Sequence, residues 1–386
     1  MNYYLLRAKL ESPLNVQKNR QSNMSLTMDH LPGSTLRGAI AAQYLRQGGA
    51  VSDADFQRCF IHDPICFPNL LPSDAPDIIP SVLPLTSYSC KRKSGFKAQG
   101  GHGVFDTLIP TSYSRMLNKP VTDTGVWTCA VCSQDKKPFT GYWNNDIRNP
   151  EKYRVSICYK RHTGIDRLTG TVANSIFYTT QAISDRRITE VDLVDQYLAG
   201  GAYLSDDQLV ALKRILSDGH LYAGADKTRG YGMLTLEMKE AEEPKVDINQ
   251  WNSAFHARYK SLFKEDAPAG IYFSVKMESA AILVDHLLRP DSSIKFPDPD
   301  VEPILQVTKA QNIRGWNTVW GLPKPDDGAI SLGSVYLFRC KKDGPENIVN
   351  INEYLSNLVV SGIGLRREEG FGRISICDCI HVEEVI

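Results

Sequence analysis

Neither sign of charge is in excess in this sequence: 44 lysines and arginines stand against 44 aspartates and glutamates. A protein that grips long duplex DNA through phosphates alone is usually basic, so that class is set aside, and any nucleic-acid role must rest on local basic loops. No stretch approaches the roughly 18 uninterrupted apolar residues of a membrane span, and no transmembrane helix is expected. The opening MNYYLLRAKL lacks a signal-peptide pattern, so a cytoplasmic protein is expected. Without such a signal, the nine cysteines read as reduced thiols and point to metal ligation over disulfides. No His-Glu-x-x-His or His-x-Glu pattern accompanies the cysteines of the CxxC stretch near 129–132, which argues against a catalytic zinc. A proper dinucleotide fingerprint is also missing. GIGLRREEGFGRISI, Gly362 to Ile376, has the glycines, but Arg367 stands where the third should be. The flanks are reversed as well, helix-like before the loop and strand-like after it.

What is present divides into two halves. At 386 residues the chain is long for one core, so two domains are expected. The first strand alternates, with Tyr4, Leu6, Ala8 and Leu10 on one face. PGSTLRGAIAAQYLRQGG then reads as a helix capped by Ser34, with Leu36, Ile40 and Tyr44 on one face and Gly48 at its end. From about 50 to 150 the pattern dissolves into prolines and cysteines, which we read as an irregular insertion in the N-terminal domain. YRVSICYKRHTGIDRLTGTVANSIFYTTQAI reads as two strands around a polar, basic hairpin. SDDQLVALKRILSDG is a helix with a Ser205–Gln208 capping box and a stop at Gly219. LYAGADKTRGYG and the strand MLTLEMKE follow it.

The acidic KEAEEPKVDINQ marks a boundary near 245, giving domains 1–244 and 245–386. An alternating strand opens the second half at IYFSVKMES. Its last helix, NINEYLSNLVVSG, is expected to start at an Asn350–Glu353 capping box and to stop at Gly362; a loop and the strand ISICDCIHV then close the chain. Both halves thus end as helix, glycine loop with basic residues, Gly-aromatic-Gly, strand. The two triplets, from Gly230 and Gly370, lie 140 residues apart. Halves of this kind suit a ferredoxin-like α+β unit, the arrangement used by RNA-recognition motifs.

Chemically, glycine allows positive φ and close backbone approach, and successive N–H groups in such turns can bind anions. Lys227 and Arg229 in one loop, and Arg366, Arg367 and Arg373 in the other, could take phosphates bidentately or as point charges. Tyr231 and Phe371 could stack on unpaired bases or fill the core. In the hairpin, Arg161, His162 and Arg167 are candidate RNA contacts. Alternatively, Asp166 closes a turn and His162 is a surface donor, or His162 acts as a general base. Cys129 and Cys132 form a CxxC knuckle; with Cys90 and His102 they make a Cys3His set suited to structural zinc, with Cys59 and Cys66 as alternative ligands.

Four stretches together, the GFGR loop, the GYG loop, PGSTLRGA and HTGIDRLTGT, resemble the RAMP superfamily of CRISPR proteins. NIRGWNTVWGLPKPDDGAISLGSVYLFR, from Asn312 to Arg339, and the CxxC insertion resemble the double-domain members of type III-D effector complexes. The resemblance implies two ferredoxin-like RAMP domains with a zinc-binding insertion in the first. It also implies a noncatalytic RNA-binding subunit that caps the 5′ handle of the CRISPR RNA beside the large polymerase-like subunit and other RAMP subunits. The implied RNA contacts are Gly230, Tyr231, Gly362, Gly364, Gly370, Phe371 and Gly372 with the basic residues named above. An endoribonuclease is the alternative, either maturing guide RNA or cutting target RNA through an aspartate such as Asp106 or Asp166.

Overall fold

The computed structural model describes residues 1–21, 24–118, 126–188, 192–217, 219–317, 320–342 and 344–386. Asp218, Thr318 and Val319, which belong to stretches read above, lie outside them. The fold is α+β, built from helices and mainly antiparallel sheets, with one parallel pair between Val172–Ile183 and Met24–Thr27. Two compact units emerge: residues 1–80, 153–243 and 368–370 form the first, and 81–152, 244–367 and 371–386 the second.

In the first unit, Asn2–Leu10 lies between Tyr197–Leu204 and Met233–Glu240, and Leu71–Ser73 pairs outside Tyr197–Leu204. Numbered by chain order, these strands run 4-1-3-2 across the sheet, every neighbour antiparallel. Leu221–Tyr222 adds an edge beyond Met233–Glu240. Leu6, Ala8 and Leu10 pack with Leu36 and Ile40 of the helix Gly33–Arg46 and with Leu212 and Ile215 of the helix Asp206–Ile215. The second of these helices has the expected reciprocal Ser205–Gln208 cap. The first does not use Ser34: it begins at Gly33 after an extended Pro32 with no side-chain cap. A second sheet carries the hairpin Ile157–Ile165 and Val172–Ile183 next to Met24–Thr27 and Gln17–Gln21.

The second unit repeats the strand order. Ile271–Met277 sits between Val335–Cys340 and Ile374–Ile376, with Val301–Val307 outside, again 4-1-3-2 and antiparallel. Ile271–Met277 was expected to alternate, yet every position is buried, because both faces are covered. The last helix runs Pro345–Ser361, so Asn350 and Glu353 lie inside it rather than at its cap. Proline at the first position, where its missing N–H costs nothing, sets the start instead. The closing strand stops at Ile376 because Cys377 turns into the left-handed region at φ 55.

The 50–150 stretch falls in both units: 50–80 in the first, 81–152 in the second. Shared cores explain the second part. Leu108 and Ile109 pack with Trp251, Phe255 and Tyr259, and Leu83, Phe96 and Trp143 pack with Ile380. A buried cation reinforces this. Lys276 is fully buried, and its Nζ meets Ser81 Oγ at 2.8 Å, the Val82 carbonyl at 2.7 Å, Glu278 at 2.9 Å and the carboxylate of Asp378.

Candidate nucleic-acid interface and metal centre

The two glycine loops have the same backbone, residue for residue. Ala223 N donates to the Gly232 carbonyl at 2.9 Å, and Ile363 N donates to that of Gly372 at 2.9 Å. Gly232 N donates to Pro13 at 2.9 Å and Gly372 N to Ala280 at 2.8 Å. Gly224 and Gly364 have φ of 79 and 77, and Asp226 and Arg366 both have φ 57. A Cβ on Gly232 would sit 1.9 Å from the Ala223 carbonyl, and one on Gly372 would sit 1.7 Å from that of Ile363. These glycines are therefore required by the loop's closure on its own backbone. Gly370 has a similar constraint in the first unit, where its missing Cβ would stand 3.0 Å from Cα of Gly33, the glycine of PGSTLRGA.

The side chains on the two loops differ. In the first, Lys227, Arg229 and Gly230 are exposed, but Tyr231 is 1% exposed, with Lys160 Nζ 4.5 Å from its ring centroid. Burial raises the Tyr231 phenol above its usual range. Arg229 Nη1 donates to Tyr178 Oη at 2.6 Å and lies 3.4 Å from Asp226 Oδ1, and Asp226 Oδ2 accepts from Asn15 Nδ2 at 2.8 Å. In the second, Arg366 is paired with Asp327 and stands 5.0 Å from the Phe371 centroid. Phe371 is half-buried against Ala280, Ile282 and Ala329. Arg367 is exposed, donating to the Ser361 carbonyl at 3.3 Å. Arg373 is partly buried; its backbone N donates to Ser279 Oγ at 2.9 Å. Gly362, at φ 69, ends the last helix.

The hairpin is locked to the first loop. His162 stacks on its cross-strand partner Tyr178, ring centroids 4.7 Å apart at 15°. Its Nε2 is enclosed with no hydrogen-bond partner among the described residues. That geometry holds the ring in place against Tyr178. Arg161 projects from the opposite face, and Arg167 is exposed at the tip. Asp166 closes the turn, accepting from Leu168 N at 2.8 Å and Thr169 N at 3.1 Å. Those backbone donors hold its carboxyl below the usual range. Asp106 is buried: Thr86 Oγ1 donates to it at 2.6 Å and Leu108 N at 2.9 Å. His381 Nδ1 lies 3.0 Å from Asp106 Oδ1, at ion-pair distance but not aligned as a hydrogen bond. These are the surroundings of a helix-starting brace.

Cys90, His102, Cys129 and Cys132 come together as the spacing implied, with one donor atom each and all four within 4.8 Å of one another. Cys90 ends the strand Ser87–Cys90, and His102 precedes Val104–Asp106. The knuckle turns tightly, with Cys129 N on the Gln134 carbonyl at 2.7 Å and Ser133 at φ 54. Cys90 Sγ and Cys132 Sγ are 3.4 Å apart, as are Cys129 Sγ and His102 Nδ1. Tetrahedral bonds of about 2.3 Å to sulfur and 2.0 Å to nitrogen require similar separations, so the set fits zinc. Burial pushes the Cys90 thiol up, but backbone donors at Lys93 and Arg92, with Cys132 and His102, bring it down to about 6. Cys59 and Cys66 are not in the cluster.

Sequence reading missed Tyr178, Lys160 and the Lys276 network. The alternation of Lys160 with His162 on one strand face was the available signal for the first two. No family model and no curated protein matches the chain. Among solved structures, it is similar to a chain of the type III-B Cmr-beta bound to cognate target RNA at 12% identity and a TM-score of 0.41, covering 96% of each. For the same assembly bound to cognate target RNA and AMPPnP, the values are 12% and 0.39, covering 91% of this chain and 93% of that one. For Cmr4 they are 12% and 0.22, covering 62% and 100%. Likeness at this level carries no argument about fold or activity. No helix among the described residues is long and apolar enough to cross a membrane.

Proposed function

We propose that this chain is an RNA-binding subunit of a type III, III-D-like CRISPR effector ribonucleoprotein in the cytoplasm. In this reading it has two ferredoxin-like RAMP domains. It holds the 5′ end of the CRISPR RNA and joins the large polymerase-like subunit to the RAMP backbone. The observation that carries the reading is the duplicated glycine loop. Each copy follows the last helix of a 4-1-3-2 sheet, and both close by the same backbone bonds. That is the arrangement the sequence resemblance implies, and independent tight turns would have no reason to match residue for residue. Lys227, Arg229 and Arg367, all exposed, are the basic groups best placed for phosphates. Arg366 acts through its pair with Asp327 as a brace for the loop.

The Cys3His set is assigned to structural zinc. Bound there, the ion would cross-link two loop-rich segments that have little core of their own. A maturation nuclease using His162 is the weaker reading, because that ring is stacked and its Nε2 enclosed. Reconstitution with guide RNA carrying a photoreactive base at successive positions tests the proposal. Crosslinks confined to the 5′ end support it; crosslinks spread evenly along the guide, or none to this chain, sink it. Cutting of repeat RNA in EDTA that His162→Ala abolishes would favour the nuclease.

A further inference from the structure

The hairpin has two faces, and among the described residues one packs on the first glycine loop while the other leaves its rings exposed. Lys160, His162 and Tyr178 face the first glycine loop, as their contacts with Tyr231 and Arg229 show. Strand geometry sends the intervening residues to the other side. There Tyr159 is 59% exposed and Phe177 53% exposed, with Arg161 at the register between them: Tyr159 faces Gln181, Arg161 faces Thr179, and Thr163 faces Phe177. The two rings are four strand residues apart, roughly 13 Å along the hairpin. Tyr159 is held in place, its Oη accepting from Gln181 Nε2 at 3.3 Å while Gln181 Oε1 accepts from Thr27 N at 3.1 Å.

We infer that this open face, Tyr159–Arg161–Phe177, is a base-stacking surface for single-stranded RNA, taking the role that sequence suggested for Tyr231. The inference rests on the RNA-binding reading above and locates its bases. The occupant is argued from charge and chemistry. Arg161 lies on this face and Arg167 at the hairpin tip, against a single carboxylate in residues 157–183, Asp166, which its own turn consumes. A positive surface with exposed aromatic rings suits a polyanion with free π-faces, which means unpaired nucleotides. A duplex would offer the phosphates but keep its bases stacked. Tyr231 cannot serve as it stands, because Lys160 covers its ring.

The test is fluorescence anisotropy with a fluorescein-labelled decauridine and the full chain, over a salt series, with a blunt RNA duplex as competitor. Tyr159→Leu and Phe177→Leu should each weaken binding roughly 5- to 150-fold. Neither should change the salt slope, since neither ring touches a phosphate. Arg161→Ala should flatten the slope by about 0.7. Tyr159→Phe and Phe177→Tyr keep the rings and should bind as wild type, which separates stacking from misfolding. If wild type binds and both leucine variants bind equally well, the inference is overturned. If those variants bind RNA normally but no longer assemble with partner subunits, the face is a protein interface and the inference is again wrong. If wild type does not bind decauridine at low salt, the RNA-binding reading itself falls.

Discussion

Lys276→Met removes one cation from the interior of the second unit, and its cost can be worked from the neighbours. Lys276 has no exposed side-chain surface, and Asp378 and Glu278 have 3% and 21%. Once the cation is gone, Glu278 can rehydrate and Asp378 cannot. The cost is therefore that of one uncompensated buried carboxylate, roughly 3–5 kcal/mol. The pH dependence gives the sharper check. In wild type, burial opposes both charges but each partner outweighs it: Asp378 is held below its ordinary 3.8 and Lys276 above its ordinary 10.5. Asp378's contribution is thus present above the unfolded value and lost as pH falls through the folded one. That of Lys276 is present below 10.5 and lost only above its raised value. Between these limits the pair adds no slope. In the variant, burial of Asp378 is opposed by nearby His381 and the Ile380 N–H but no longer by the cation, and protonation relieves it, so stability should rise as pH falls from about 8 to about 5. Urea denaturation across that range is the assay. A variant within about 1 kcal/mol of wild type, or one with the wild-type pH profile, would refute the reasoning.

Gly372→Ala should cost at least about 2 kcal/mol in urea melts, since it adds a Cβ at φ 72 facing the Ile363 carbonyl. Substitution of Cys129 and Cys132 by serine should abolish a zinc stoichiometry of about one per chain by elemental analysis and expose 81–152 to limited proteolysis; unchanged metal content would remove the site. Asp106→Ala should destabilise by about 2–4 kcal/mol through loss of its bonds to Thr86 and Leu108. A catalytic aspartate would instead lose cleavage with stability intact. Tyr231→Phe should be neutral or stabilising by up to about 1 kcal/mol, because its buried hydroxyl has no partner among the described residues.

Local chemistry was legible in the sequence and distant packing was not. The Ser205–Gln208 cap needs only four consecutive residues and formed as read. The Asn350–Glu353 pattern had the same local form, but Pro345 sets an earlier start and puts it inside the helix. The metal set was recoverable because CxxC fixes two ligands and few other soft donors lie within reach. The glycine loops showed their repeat, but not that Lys160, 71 residues upstream, would cover Tyr231. IYFSVKMES read only as an alternating strand, and nothing local marks its Lys276 as buried. Its partners, at Ser81, Val82 and Asp378, lie far away in sequence, and they also explain why 81–152 packs with the second unit.

The most direct test of the central claim is the affinity of the full chain for a single-stranded 5′-handle RNA as a function of salt, for wild type and for Arg229→Ala/Arg367→Ala. The account predicts that wild type prefers the single strand to a duplex of equal length. It also predicts that the double variant binds more weakly, with a slope flatter by about 1.4, or roughly 0.7 for each lost phosphate. Equal affinity and slope in the two proteins, or no preference for the single strand, would contradict it.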